Sequence, residues 1–266
     1  MNEITSREKQ IEFFSKRFGI TTNELTKFIS YYNEDFSAYD NHVYEHVGSR
    51  IAHWWNFEDH DWFSKRIDIY LDYLEILLKS QKNITLIDIG FSVPYAYTRK
   101  SLICNNNLSL LLIDKEKSAK RFFNAISEFL SIHRKYLDNV LINDIEITNS
   151  NLIIYEELNL IKNHKPPNSV IISASEVIEH LDNQDKFWEL LKNIKNVLKL
   201  EPIIYATLPV GKKIPSHSVE FLTASDAFTY LSNYLNIIEK WFLHPSQSES
   251  VSPFLQECVC VLGTLK

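Results

Sequence analysis

Glu176, Glu179 and His180 fall in one short run, Ser175-Glu176-Val177-Ile178-Glu179-His180-Leu181, which puts two carboxylates beside an imidazole. Such a group can take and return a proton, with a carboxylate orienting the ring, or hold a divalent cation through oxygen and nitrogen. His217 adds a second imidazole further along. Asp88 and Asp114 are of another kind, because each closes an apolar run. A third concentration of chemistry lies between Tyr39 and Asp61, where His42 and His46 share one helical face and Asp59-His60-Asp61 could add ligands. Ligand spacing alone has a high false-positive rate, so those histidines are expected to cap or pack in an aromatic-rich helix.

The elements that must position these groups follow from periodicity. Ile84, Thr85, Leu86 and Ile87 form a β-prone run without polar alternation, as in a strand buried on both faces, and the chain turns at Gly90. Residues 108–113 repeat the pattern, so Asp88 and Asp114 would stand at the carboxyl ends of adjacent parallel strands, the edge where open α/β sheets bind ligands. The spacing predicts a crossover helix over residues 115–137 and a third strand over 139–145, with 152–155 a rival for it. Lys165-Pro166-Pro167-Asn168 breaks the chain before a fourth strand at 169–174. Asp182 can cap the helix that follows, a fifth strand covers 203–208, and Thr223 can cap a last helix at 225–234. Residues 235–242 and 257–265 read as the sixth and seventh strands. Residues 1–81 read as helical throughout, with an apolar stripe over 62–79 wide enough to lie against a sheet.

Asp88-Ile89-Gly90, the acid Asp114 at the end of the second strand, and Glu176-Val177-Ile178-Glu179-His180-Leu181 after the fourth together resemble the class I S-adenosylmethionine-dependent methyltransferases. Ser92 and Pro94 stand where that family usually has its second and third glycines. The resemblance covers residues 83–266. It implies an α/β fold with a seven-stranded, mostly parallel, doubly wound sheet, ending in an antiparallel strand and preceded by an N-terminal helical extension, residues 1–81, that acts as a lid. S-adenosylmethionine would be the methyl donor and S-adenosylhomocysteine the product. Asp114 would accept the two ribose hydroxyls, and Asp88, Gly90 and Ser92 would hold the amino acid end. Phe91 or Val177 would flank the adenine, Asn143 and Asp144 would meet its amino group, and Ser175 and Glu176 would lie beside the cofactor. His180 is the first candidate for general base, with His217 second and Glu179 orienting an imidazole. Tyr44, His46, His53 and Trp54 would face the acceptor, a small molecule such as a metabolite or natural-product intermediate.

Two other functions stay open. Glu176, Glu179, His180 and His217 also resemble the metal-ligand set of the small-RNA 3′-terminal 2′-O-methyltransferases, which implies a magnesium or manganese ion. Ser92 and Pro94 suit a catalytically silent binding module. A formal charge of −6 argues against a general nucleic-acid binder. With 45% hydrophobic and 13% aromatic residues the chain is globular, and it has no apolar run of membrane-spanning length. A charged amino terminus without an apolar stretch and only three cysteines point to a cytoplasmic setting with free thiols. The aromatic segment before the first strand could also form a homodimer.

Overall fold

The computed structural model describes residues 6–34, 47–59, 61–93, 95–131, 138–142, 151–211, 217–244 and 257–266. β1 (Ile84–Ile89) and β2 (Leu108–Asp114) are buried at every position. They pair in parallel, Ile84 with Leu108 through Ile89 with Ile113. β3 (Asp138–Ile142) adds outside β2, while β4 (Ser169–Ser175) and β5 (Ile203–Val210) extend the parallel sheet from the other side of β1. β6 (Leu235–Leu243) and β7 (Glu257–Leu265) complete it in antiparallel sense. The seven strands run in the order β3-β2-β1-β4-β5-β7-β6. The order reverses between β1 and β4, which makes the carboxyl end of β1 the switch point where such sheets open a crevice.

Helices cover both faces. α1 (Arg7–Phe18), α2 (Thr22–Glu34), α3 (Val47–Asp59), α4 (Asp61–Ser80) and α6 (Lys117–Phe129) share one core with Ile84, Leu86, Leu108, Leu110 and Leu112. α7 (Asn151–His164), α8 (Gln184–Leu198) and α9 (Ala224–Tyr234) share the other with Ile87, Ile89, Leu111 and Ile113. Side chains alternate across a strand, so Asp88 and Asp114 project to the side of α3 and α4. The short α5 (Lys100–Ile103) lies between β1 and β2. None of the described helices is long and apolar enough to cross a membrane.

The rival for the third strand, residues 152–155, is instead part of α7. Ile154, Leu158 and Ile161 recur at helical spacing and bury one face, which decides between the two periods. The cap of α8 is Asn183, whose side chain accepts from the Lys186 amide; Asp182 accepts from the Ser218 hydroxyl at 2.9 Å. Thr223 caps α9 in a full capping box with Asp226.

Gly263 shows how tightly the carboxyl-terminal strand fits. It lies between Ile204 of β5 and Ile237 of β6, and a Cβ there would stand 2.8 Å from the Asn236 carbonyl oxygen. The obstacle is backbone, so it cannot rotate away. Gly263→Ala is expected to destabilise the fold by about 1–3 kcal/mol, read as a lower urea midpoint with an unchanged slope.

Candidate active site

The loop after β1 is held by charge. Gly90 has φ 65°, and a Cβ on it would come 2.5 Å from Cγ2 of Val177, so the position admits only glycine without movement. Ser92 is also left-handed, φ 53°, at a cost of about 1–2 kcal/mol for a residue with a Cβ. Its amide donates to Asp114 Oδ2 at 3.1 Å, and the Glu116 amide donates to Asp114 Oδ1 at 2.8 Å. Arg50, 1% exposed on α3, donates from Nη1 to the Ser92 carbonyl at 2.9 Å and lies 3.5 Å from Asp114 Oδ2. Its Nε and Nη2 reach Ser118 Oγ, at the start of α6, at 3.4 and 3.3 Å. Ser92 Oγ is buried with no hydrogen-bond partner among the described residues.

Asp88 is buried at the end of β1 between β2 and β4. Burial, and secondarily the charge of Asp114, push its carboxyl up to about 8. It therefore carries a proton at neutral pH and can donate as well as accept.

Across the edge, the connection after β4 is pinned by β5 and α4. Glu176, φ 55°, donates its amide to Thr207 Oγ1 and accepts from that hydroxyl through Oε1, both at 2.9 Å. Ser175 Oγ lies 3.2 Å from the same hydroxyl. Glu176 Oε2 lies 3.3 Å from Nη1 of Arg66 on α4, and Cys258 Sγ donates to Oε1 at 3.3 Å. Burial followed by the charge of neighbouring Glu176 raises the Glu179 carboxyl well above the usual range. Glu179 is 0% exposed, and neither oxygen has a hydrogen-bond partner among the described residues.

The segment after β5 returns to the backbone of Glu179. Ser218 and Val219 donate their amides to the Glu179 carbonyl at 2.6 and 3.2 Å, which fixes His217 beside His180. The two rings meet edge to face with centroids 4.7 Å apart, and His180 Nε2 is 3.8 Å from Glu179 Oε1. Glu179, His180 and His217 each offer one donor atom, all within 4.8 Å of one another. One buried carboxylate without a hydrogen-bond partner among the described residues and two imidazoles fit a divalent cation of the manganese or zinc type.

The structure thus brings together Glu179, His180 and His217, while the Glu176 carboxylate is engaged by Thr207 and Arg66. Val177 packs against Gly90, and Phe91 is buried in the core under the N-terminal helices. Trp54, expected against the acceptor, is also core: it meets Phe14 and Phe122, because α3 turns Ile51 and Trp54 inward while Arg50 and His53 face the sheet edge. His53 Nε2 lies 3.0 Å from Tyr95 Oη, and burial with the charges of Arg66 and Arg50 pushes its pKa down to about 3. Tyr44, His46, Pro94, Asn143 and Asp144 lie outside the described residues. Arg50 and Arg66 had no assigned role in the sequence. The available signal was a cation within an apolar helical stripe: Arg66 precedes Tyr70 and Leu74 at helical spacing.

Asp88 makes the site's effect on stability measurable. Its pKa is near 3.8 in an ordinary setting and about 8 here, so the folded state holds the proton more tightly. The contribution to stability is complete below about pH 4 and is lost as pH rises to about 8. Urea unfolding of Asp88→Asn across that window is expected to show a shallower decline with pH than the parent.

No protein-family model and no curated protein matches the sequence. Among solved structures the chain is similar to the CurJ carbon methyltransferase, with 12% identity and a TM-score of 0.50 over 92% of this chain and 71% of that one. N-methyltransferase NodS from Bradyrhizobium japonicum WM9, in complex with S-adenosylhomocysteine, aligns with 79% of this chain and 91% of its own at 13% identity and a TM-score of 0.47. A methyltransferase from Aquifex aeolicus aligns over 79% and 93%, with 14% identity and the same TM-score. The strand order, the antiparallel β7 and the likeness to CurJ agree: the chain has the fold of the class I S-adenosylmethionine-dependent methyltransferases.

Proposed function

We propose that the protein is an S-adenosylmethionine-dependent methyltransferase acting on a small-molecule acceptor. The observation that carries this reading is the placement of Asp114 at the end of β2, beside the switch point, with His180 beyond β4 and His217 beyond β5 meeting on the same edge. Bound S-adenosylmethionine would supply an electrophilic methyl group on a sulfonium. Asp114, oriented by the Ser92 and Glu116 amides, accepts from the ribose hydroxyls. Protonated Asp88 and the loop through Ser92 hold the amino acid end. His180 takes the acceptor's proton, with Glu179 and His217 setting its ring. His53, kept neutral and bonded to Tyr95, faces the acceptor from α3, and the helices of residues 1–81 serve as a lid.

A second reading is favoured by Glu179. A buried carboxylate with no hydrogen-bond partner among the described residues, beside two imidazoles, suits a divalent cation, which would hold a vicinal diol such as the 3′ end of RNA. Under it, Glu179, His180 and His217 are ligands and no base is needed from His180.

The two readings are separated by calorimetry with S-adenosylmethionine, with chelator or with manganese, followed by transfer of labelled methyl. The acceptors are a panel of small hydroxyl and amine compounds and an RNA oligonucleotide with an intact or periodate-oxidised 3′ end. Metal-independent transfer to a small acceptor, reduced in His180→Ala with cofactor affinity kept, supports the first reading. Manganese-dependent transfer to intact RNA, lost in His217→Ala, selects the second. Absence of cofactor binding under every condition overturns both and leaves a binding module. Asp114→Asn is expected to weaken binding of S-adenosylhomocysteine by about 1.5–3 kcal/mol.

A further inference from the structure

Two residues with side chains, Ser92 and Glu176, have left-handed backbones at the carboxyl edge of the sheet. Each is met by a buried guanidinium from the helices before β1: Arg50 at the Ser92 carbonyl and Arg66 at the Glu176 carboxylate. Glu176 also has Thr207 on both its amide and its side chain. Ser92 has less local support. Its own hydroxyl has no partner among the described residues, so the serine side chain does not hold the serine backbone. The backbone is held from its two ends, with the amide on Asp114 and the carbonyl on Arg50.

Arg50 is suited to that task by its shape. One arm reaches the Ser92 carbonyl, the remaining nitrogens reach Ser118 Oγ, and the charge faces Asp114. A planar fork can serve three groups at once, where an ammonium is a single point on a flexible stem. A glycine at this position would adopt φ near 53° freely; a serine reverts toward negative φ when released.

We infer that Arg50 is a positioning residue for the cofactor loop, supplying from α3 the restraint that makes a glycine unnecessary at Ser92. The inference rests on the reading that this edge binds S-adenosylmethionine. It makes α3 part of the cofactor site. Its signature is coupling: loss of Arg50 should matter when residue 92 is serine and should matter little once that residue is Gly.

The test is a double-mutant cycle on the full chain, with S-adenosylhomocysteine as the calorimetric probe. Arg50→Met is expected to weaken binding about tenfold in the parent and less than about threefold in the Ser92→Gly background. Arg50→Lys, which keeps the charge near Asp114 and loses the fork, is expected to follow Arg50→Met. Equal weakening in both backgrounds overturns the inference, because Arg50 would then act on the ligand or on the fold at large. Hydrogen exchange of the unliganded protein decides the same point without a ligand. Arg50→Met should speed exchange at residues 90–93 while β1 stays protected, and Ser92→Gly should not add to that effect. Unchanged exchange at 90–93 overturns the clamp. If the parent binds no S-adenosylhomocysteine, the functional reading fails while exchange still decides the clamp.

Discussion

Asp114 has two oxygens and three claims on them: the Ser92 amide, the Glu116 amide and the guanidinium of Arg50. A buried ion pair in this setting is stable only when its remaining hydrogen-bonding capacity is used, and here Ser92, Ser118 and two backbone amides use it. The arrangement ties four elements together. β2 carries the acid, α6 begins beside it, the loop after β1 is bent onto it, and α3 delivers the cation. The proposed cofactor site depends on that knot, because it sets both the path of the loop and the direction of the Asp114 carboxylate.

Much of this architecture could be read from the residues. β1, β2 and β4 were legible because strands buried on both faces carry mostly apolar runs without polar alternation, and Asp88 and Asp114 stood out as charged residues at the carboxyl ends of β1 and β2. Residues 152–155 were ambiguous for the opposite reason: a short apolar run looks the same at either period until its partners are known, and only Leu158 and Ile161 further on resolve it. Trp54 was misplaced because composition says that a helix is aromatic but not which way it faces. The neighbours Arg50 and His53 take the polar side, and the indole takes the core.

The histidine cluster shows another limit. Glu179 and His180 are adjacent in sequence, but their relation to His217 is made by two backbone amides of the segment after β5, a contact between loops that no periodicity encodes. Glu176 belongs to the same group by its place in the sequence run and by resemblance to a ligand set. Its left-handed backbone and its pairing with Arg66 turn it to a different partner, so four residues that look alike on paper divide into a charged strut and a three-donor nest. Long-range ion pairs of this kind depend on which helix covers the sheet, and that is settled by packing.

The order of synthesis gives the two arginines a further significance. A ribosome releases α3 and α4 before β2 and β4 exist, so Arg50 and Arg66 emerge long before Asp114 and Glu176, and the apolar face of α4 waits with them. The first third of the chain therefore holds two cations and the sheet-facing side of α4 before the strands that cover them are made. The carboxyl edge is thus assembled from parts made far apart in time, and it cannot close before β4 has left the ribosome.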